Sequence, residues 1–279
     1  MKKLSGIITV IAFIFLYAPI AVMILFSFNS SNSTGVFEGF SLGWYKELFR
    51  DEATLNALKN TLIIAVMSSI ISTVIGTLAA VGINKYKNKY IKNSVVFATN
   101  IPMMNPDIVT GISMMLLFIF AGTIMFGEVT LNFWTVLISH ISFSLPYVIL
   151  NVLPKLRQMD RHLPEAALDL GCTPIQTFFR IELPEIAPGI LTGFIMAFTL
   201  SVDDFVVTNF TTGTSFQTLP IHIYSQVKRR INPDMYAVST LMFIVIFALL
   251  VISNFIGAKE DGKLRQSEKR KKTPKGVKN

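Results

Sequence analysis

Apolar residues run in six blocks separated by short polar intervals, at about 7 to 28, 58 to 83, 94 to 121, 132 to 153, 188 to 210 and 236 to 257. At 1.5 Å per residue, each block is long enough to cross a hydrocarbon core of roughly 30 Å as an α-helix. The pattern predicts an all-α integral membrane protein with six transmembrane helices. Its transmembrane domain covers residues 1–257, with a polar loop at 154–187, and a basic tail follows at 258–279. Lys2 and Lys3 precede the first block as in a secretory signal, but the block is longer than a usual signal core and lacks an A-x-A pattern. A retained helix is expected.

Two blocks are patterned for close packing. Ser68, Ser72, Gly76 and Ala80 recur every four residues in the second, and Gly189, Gly193, Ala197 and Ser201 do so in the fifth. Each row lies on one helix face, where small side chains let neighbouring helices approach. The third block is patterned to break instead: Asn100, Pro102, Asn105, Pro106 and Asp107 fall within eight residues. Each proline removes an amide donor and disfavours α geometry just before it. A break at membrane depth is tolerated only against protein or water, so this segment should face a pathway.

Asp107 stands about 13 residues above the inner end of its block, and Asp203 and Asp204 about 13 to 14 above Ile190 in theirs, roughly 20 Å in each case, so the three share one depth in the outer half of the membrane. A carboxylate there is expensive, and neither block supplies Lys or Arg at that level. Substrate or ion contact and pairing with a partner subunit are both open. His140, among Ser139, Ser142 and Ser144, suits either a proton relay or an interhelical hydrogen bond. Residues Glu38 to Arg50 form a short amphipathic segment opening on Trp44 and Tyr45, rings suited to anchoring at the headgroups or to facing a cation at an entrance.

Charge then orients the chain. With 52% hydrophobic and 15% charged residues it does not read as soluble. If both termini are cytoplasmic, 19 of the 25 Lys and Arg residues fall inside, although Lys228, Arg229 and Arg230 remain outside. The net charge of +8 is thus explained by membrane lipids and implies no nucleic acid. The spacing from Gly257 to Lys263 imitates a phosphate loop, but Leu264 stands where Ser or Thr is needed and no strand precedes it. Cys172 is the sole cysteine and forms no intrachain disulfide.

Between the fourth and fifth blocks the chain is polar and proline-punctuated. Helical stretches are expected around 156–170 and 174–180, with Thr173 capping, Pro174 in a first turn and Gly171 allowing a reversal between them. Leu183, Pro184 and Pro188 are expected to set a turn into the fifth block. Glu165-Ala166-Ala167, Gly171, Phe178, Ile181, Leu183-Pro184 and Pro188 resemble the signature loop of permease subunits of binding-protein-dependent (type I) ABC importers. Phe40 to Tyr45, Ile101-Pro102 and Ser201 to Phe205 look most like the second permease subunit of spermidine/putrescine importers.

That resemblance implies the type I permease fold, a multi-pass subunit of the bacterial inner membrane and a chain that is not itself an enzyme. Glu165, Ala166, Ala167, Gly171, Leu183 and Pro184 would couple to the ATPase, while Trp44, Asp107, Asp203 and Asp204 would line the polyamine pathway. The implied partners are a homologous second permease, two ATP-binding subunits that hold ATP and Mg²⁺, and an extracytoplasmic polyamine-binding protein. No cofactor is expected in this chain. Another cationic or metal solute is the first rival cargo, and an ion-coupled secondary transporter or a membrane anchor without a pathway are rival classes.

Overall fold

The computed structural model of the protein describes residues 2–31, 36–127, 131–160, 162–214, 216–229, 235–248 and 251. Helices make up the fold: α1 (Lys2–Phe26), α2 (Gly43–Leu48), α3 (Glu52–Lys85), α4 (Lys89–Met104), α5 (Asp107–Phe126), α6 (Phe133–Gln158), α7 (His162–Asp169), α8 (Pro174–Thr177), a π-helical segment (Phe178–Glu182), α9 (Leu183–Asp203), α10 (Val206–Thr211) and α11 (Leu219–Arg229). A further apolar helix covers Met235–Ala248. Among the described residues five helices are long and apolar enough to cross a membrane: Gly6–Phe26, Glu52–Lys85, Asp107–Ile124, Phe133–Gln158 and Pro174–Asp203. Most of the second half of the block expected at 236–257, and all of the tail at 258–279, lie outside the described residues.

The chain divides into two compact units. The first takes in residues up to Thr61 together with Gln217–Phe247. Its core gathers Leu48, Ala57, Leu219, Met235 and Val238. Asp51 caps α3, accepting from the Ala53 and Thr54 amides at 3.2 Å and from the Thr54 hydroxyl. The Thr54 hydroxyl contact above all holds the Asp51 carboxyl below its usual range. Thr54 also reaches His222 Nε2 at 3.0 Å and so joins α3 to α11.

The second unit, chiefly Leu62–Phe216, holds a core built where α3, α6 and α9 meet. Both small-residue rows face into it. A Cβ added at Gly76 would lie 2.7 Å from Val148 Cγ1, and one at Gly193 would lie 3.3 Å from Val148 Cα. Val148 of α6 therefore sits between the two glycines, with Ala80 and Ala197 buried alongside. Ser68 donates to Ser201 at 3.1 Å, joining the rows directly. In hydrocarbon such contacts must come from van der Waals packing and hydrogen bonds, which is why small residues are placed here.

The third block does break where its prolines predict. Helix α4 ends at Met104, Asn105 is extended at ψ 138°, and Pro106 precedes the first residue of α5. The fifth block departs from the expected continuous run of 188–210, because Asp204 is extended at ψ 121° and separates α9 from α10. Its physical reason is a cap: the Asp204 carboxylate takes the free amides of Val207 and Thr208.

The expected turn at Leu183-Pro184 is also absent. The helix runs on from Pro174 through the π-helical segment into α9. Pro184 has no amide, and its ring would crowd the carbonyl of Arg180 in a regular α-helix. The wider π register, in which the Leu183 amide bonds to the Phe178 carbonyl, accommodates it.

Candidate functional site: a carboxylate cavity and an exposed signature loop

The two broken helices are packed together in the second unit. A Cβ at Gly111 of α5 would lie 2.8 Å from Phe210 and 3.3 Å from the Val207 Cα of α10. Beside this contact lies a cavity of about 260 Å³ lined by Pro102, Met103, Asp107, Thr110, Phe143, Tyr147, Leu200 and the run Asp203–Val207. Three of the four residues expected on the pathway thus share one lining, although Asp107 is 96 residues from Asp203 in the chain. No Lys, Arg or His is among the lining residues, and Phe143, Tyr147 and Phe205 supply aromatic walls.

The carboxylates have different local settings. Asp107 occupies the first turn of α5, where a negative charge favours the helix terminus. Asp203 ends α9 and is exposed in the subunit. Asp204 is half-buried and strongly bonded: Oδ2 accepts from the Thr208 amide at 2.7 Å and its hydroxyl at 2.6 Å, and Oδ1 accepts from the Val207 amide at 3.3 Å. His140 Nε2 stands 3.6 Å from Oδ2. His140 itself bonds Ser201 and Thr208, so its ring joins α6 to α9 and α10. These partners come from the fifth block rather than from the serines nearby in sequence; only their seven-residue spacing, which puts two hydroxyls on one helical face, hinted at it.

Trp44 lies in the first unit, half-buried in α2, and donates its indole N–H to the Asn29 carbonyl at 2.7 Å. Tyr45 beside it packs on Phe28 and meets Ser27 through its hydroxyl at 2.9 Å.

The signature loop is built from three local devices. Helix α7 carries Glu165, which faces solvent and pairs with His162 at 3.2 Å, with Ala166 exposed and Ala167 buried. At its end Gly171 adopts φ +87°; its amide bonds to Leu168 O at 2.9 Å and the Cys172 amide to Ala167 O at 3.0 Å. This is a Schellman closure, which needs the left-handed residue that glycine supplies. Thr173 and Gln176 then form a capping box on α8, with Pro174 in the first turn. Leu163, Leu168, Leu170, Ile175 and Phe179 are exposed along the loop, Leu170 at 87%. Five exposed apolar side chains on an otherwise polar loop are chemically suited to a contact surface.

Lys85, at the end of α3, pairs with buried Glu182 at 3.4 Å and ties the π-helical segment to α3. A second cavity, of about 690 Å³, opens there and is larger than the carboxylate cavity. Lys85, Lys87, Lys89, Lys92 and Arg157 line it, so its sign is wrong for a cation and its size does not make it the pathway.

Comparison with known proteins bears on both regions. Residues 72–259 match the family described as binding-protein-dependent transport system inner membrane component. The putrescine transport system permease protein PotI of Escherichia coli (strain K12) is 37% identical over 236 residues, covering 85% of this chain and 84% of the relative. The spermidine/putrescine transport system permease protein PotC of the same strain is 37% identical over 254 residues, covering 90% and 92%. Among solved structures, a bacterial ABC transporter involved in the import of the acidic polysaccharide alginate superimposes with TM-score 0.69 at 17% identity, covering 92% of this chain and 96% of that one. That likeness speaks for the fold alone.

Proposed function

Because the chain belongs to the family of inner membrane components of binding-protein-dependent transport systems, and is a permease subunit of an ABC importer, we propose that its cargo is a polyamine, putrescine or spermidine. In this reading six helices cross the bacterial inner membrane, the sixth formed around Met235–Ala248, and both termini are cytoplasmic. The chain breaks no bond. Two ATP-binding subunits would bind ATP and Mg²⁺, a homologous permease would complete the pathway, and an extracytoplasmic protein would deliver the polyamine.

The observation that carries the proposal is the carboxylate cavity. A polyamine is an apolar rod bearing ammonium groups. Asp107, Asp203 and Asp204 would take ammonium hydrogens in charge-assisted bonds, and Phe143, Tyr147 and Phe205 would face methylenes or a cation. Trp44 would contact the cargo on its way in. Aromatic walls favour an organic ammonium over a bare metal ion, and an anionic cargo would meet three acids with no cation among the lining residues.

Coupling would pass through the loop from Glu165 to Pro184. Glu165, Ala166, Ala167 and Gly171 would present the exposed apolar patch to an ATPase subunit, and Leu183 and Pro184 would join that surface to α9. Nucleotide-driven movement of the loop would then reach the end of α9, where Asp203 stands.

Uptake of putrescine and spermidine by the reconstituted complex tests the cargo. One charge-assisted bond is worth about 1.5–3 kcal/mol, or roughly 10- to 150-fold in one transport parameter. Of Asp107→Asn, Asp203→Asn and Asp204→Asn, at least one should lose about tenfold or more while co-purifying with its partners. Normal uptake by all three would refute the polyamine assignment and leave the family untouched.

A further inference from the structure

Behind the carboxylate cavity a chain of buried side chains crosses four helices. With Asp204 ionised and the imidazole neutral, its hydrogen bonds take one consistent direction. Thr208 Oγ1 donates to Asp204 Oδ2 at 2.6 Å. The Thr208 oxygen is then an acceptor for His140 Nε2 at 2.8 Å, so that ring nitrogen carries the proton. Nδ1 becomes an acceptor, and Ser201 Oγ donates to it at 2.6 Å. Ser201 in turn accepts from Ser68 at 3.1 Å. Ser68, His140, Ser201 and Thr208 are each no more than 2% exposed. Every hydroxyl and ring nitrogen in the chain has a partner, as a buried polar network requires.

The result is uneven use of the Asp204 carboxylate. Oδ2 is committed to the Thr208 amide and hydroxyl, while Oδ1 holds only the 3.3 Å amide of Val207. We propose that His140 is a positioning residue of the import site: by holding the Thr208 hydroxyl, it fixes the Asp204 carboxylate so that Oδ1 is the oxygen offered to a cargo ammonium. The proposal rests on the reading of Asp204 as a cargo contact and goes beyond it, since the imidazole is assigned no contact with cargo. A fixed oxygen also makes ammonium spacing matter. Losing His140 should blunt the distinction between a four-carbon and a five-carbon diamine.

A double-variant cycle on the reconstituted importer decides it, with competing uptake of putrescine and the five-carbon diamine cadaverine. His140→Leu should raise KM for putrescine about 5- to 20-fold, less than loss of the charged contact itself because the carboxylate is loosened and not removed, with a smaller change in kcat. His140→Gln can place an amide N–H near the lost Nε2 and should recover part of the KM, whereas the shorter Asn should not. His140→Leu combined with Asp204→Asn should be no worse than Asp204→Asn alone. Thr208→Val cuts the same chain with the ring in place and is read identically if the leucine variant does not assemble. Additive losses in the double variant, or equal KM values for the Leu, Gln and Asn variants, would overturn the inference while the cargo reading stands. Normal transport by Asp204→Asn would instead remove the role assigned to Asp204, and the inference with it.

Discussion

Gly171 offers a test of how the signature loop works, because its surroundings separate backbone strain from steric conflict. The residue sits at φ +87°, and among the described residues, its two chain neighbours aside, nothing lies within 4 Å of the position a Cβ would take. A side chain there has room but not the right backbone. Placing an L-residue in the left-handed region costs about 1–2 kcal/mol, and less for Asn, whose short polar side chain tolerates it. If all of that strain is relieved when the turn opens, the population of closed loop falls by at most about 5- to 30-fold. The Ala167 and Leu168 carbonyls would lose their bonds to the Cys172 and Gly171 amides in the opened turn. ATP-driven uptake, measured beside affinity for the ATPase subunit, should therefore rank Gly above Asn, Asn above Ala, and Ala above the β-branched Val. If Gly171→Val transported like the unaltered protein, the assigned role of the closed turn would be refuted. If Asn and Ala were equally inactive, strain would be the wrong cause and the docked partner would have to fill the space beside Gly171.

Gly76→Ala would put a methyl group 2.7 Å from Val148 Cγ1; overpacking of about 1–3 kcal/mol is expected, partly offset by the helix preference of Ala of about 1 kcal/mol. Val148→Ala should restore thermal stability in detergent, and a failure to do so would place the strain elsewhere. For topology, cysteines introduced at Ser31 and at Lys228 should react with an impermeant thiol reagent from outside intact cells, and Cys172 only after permeabilisation. Labelling of the Lys228 position solely from inside would overturn the proposed arrangement of the final helices.

Features written as backbone chemistry were legible in the sequence. Pro106 dictates the gap between α4 and α5, and Gly171, Thr173 and Pro174 dictate the loop turns, because Pro106, Gly171 and Pro174 act through their own amide or dihedral and Thr173 through a hydroxyl that caps the adjoining turn. The small rows predicted close approach but not the partner: Val148 lies on α6, and only the fold brings it between Gly76 and Gly193. The break after α9 was missed because no proline or glycine marks it. Asp204 attracts attention as a costly charge, yet its carboxylate also caps α10, and one residue serving two purposes shows only one of them in sequence. Pro184 misled in the opposite sense, since the π-helical segment absorbs it without a turn.

The uninterrupted path from Pro174 to Asp203 has a mechanical consequence. Its 30 residues make a strut about 45 Å long at 1.5 Å per residue, with the loop at one end and an acid of the cavity at the other. A 5° swing about one end would carry the other about 4 Å, comparable with the span of a hydrogen-bonded contact. A strut has no slack: it moves whole, or it bends where its ladder is weakest, at Phe178–Glu182 and the prolines that follow. Under the proposed coupling, a strut that moves whole would make loading of the loop end and rearrangement of the acid end a single event, whereas one that bends at Phe178–Glu182 would divide them.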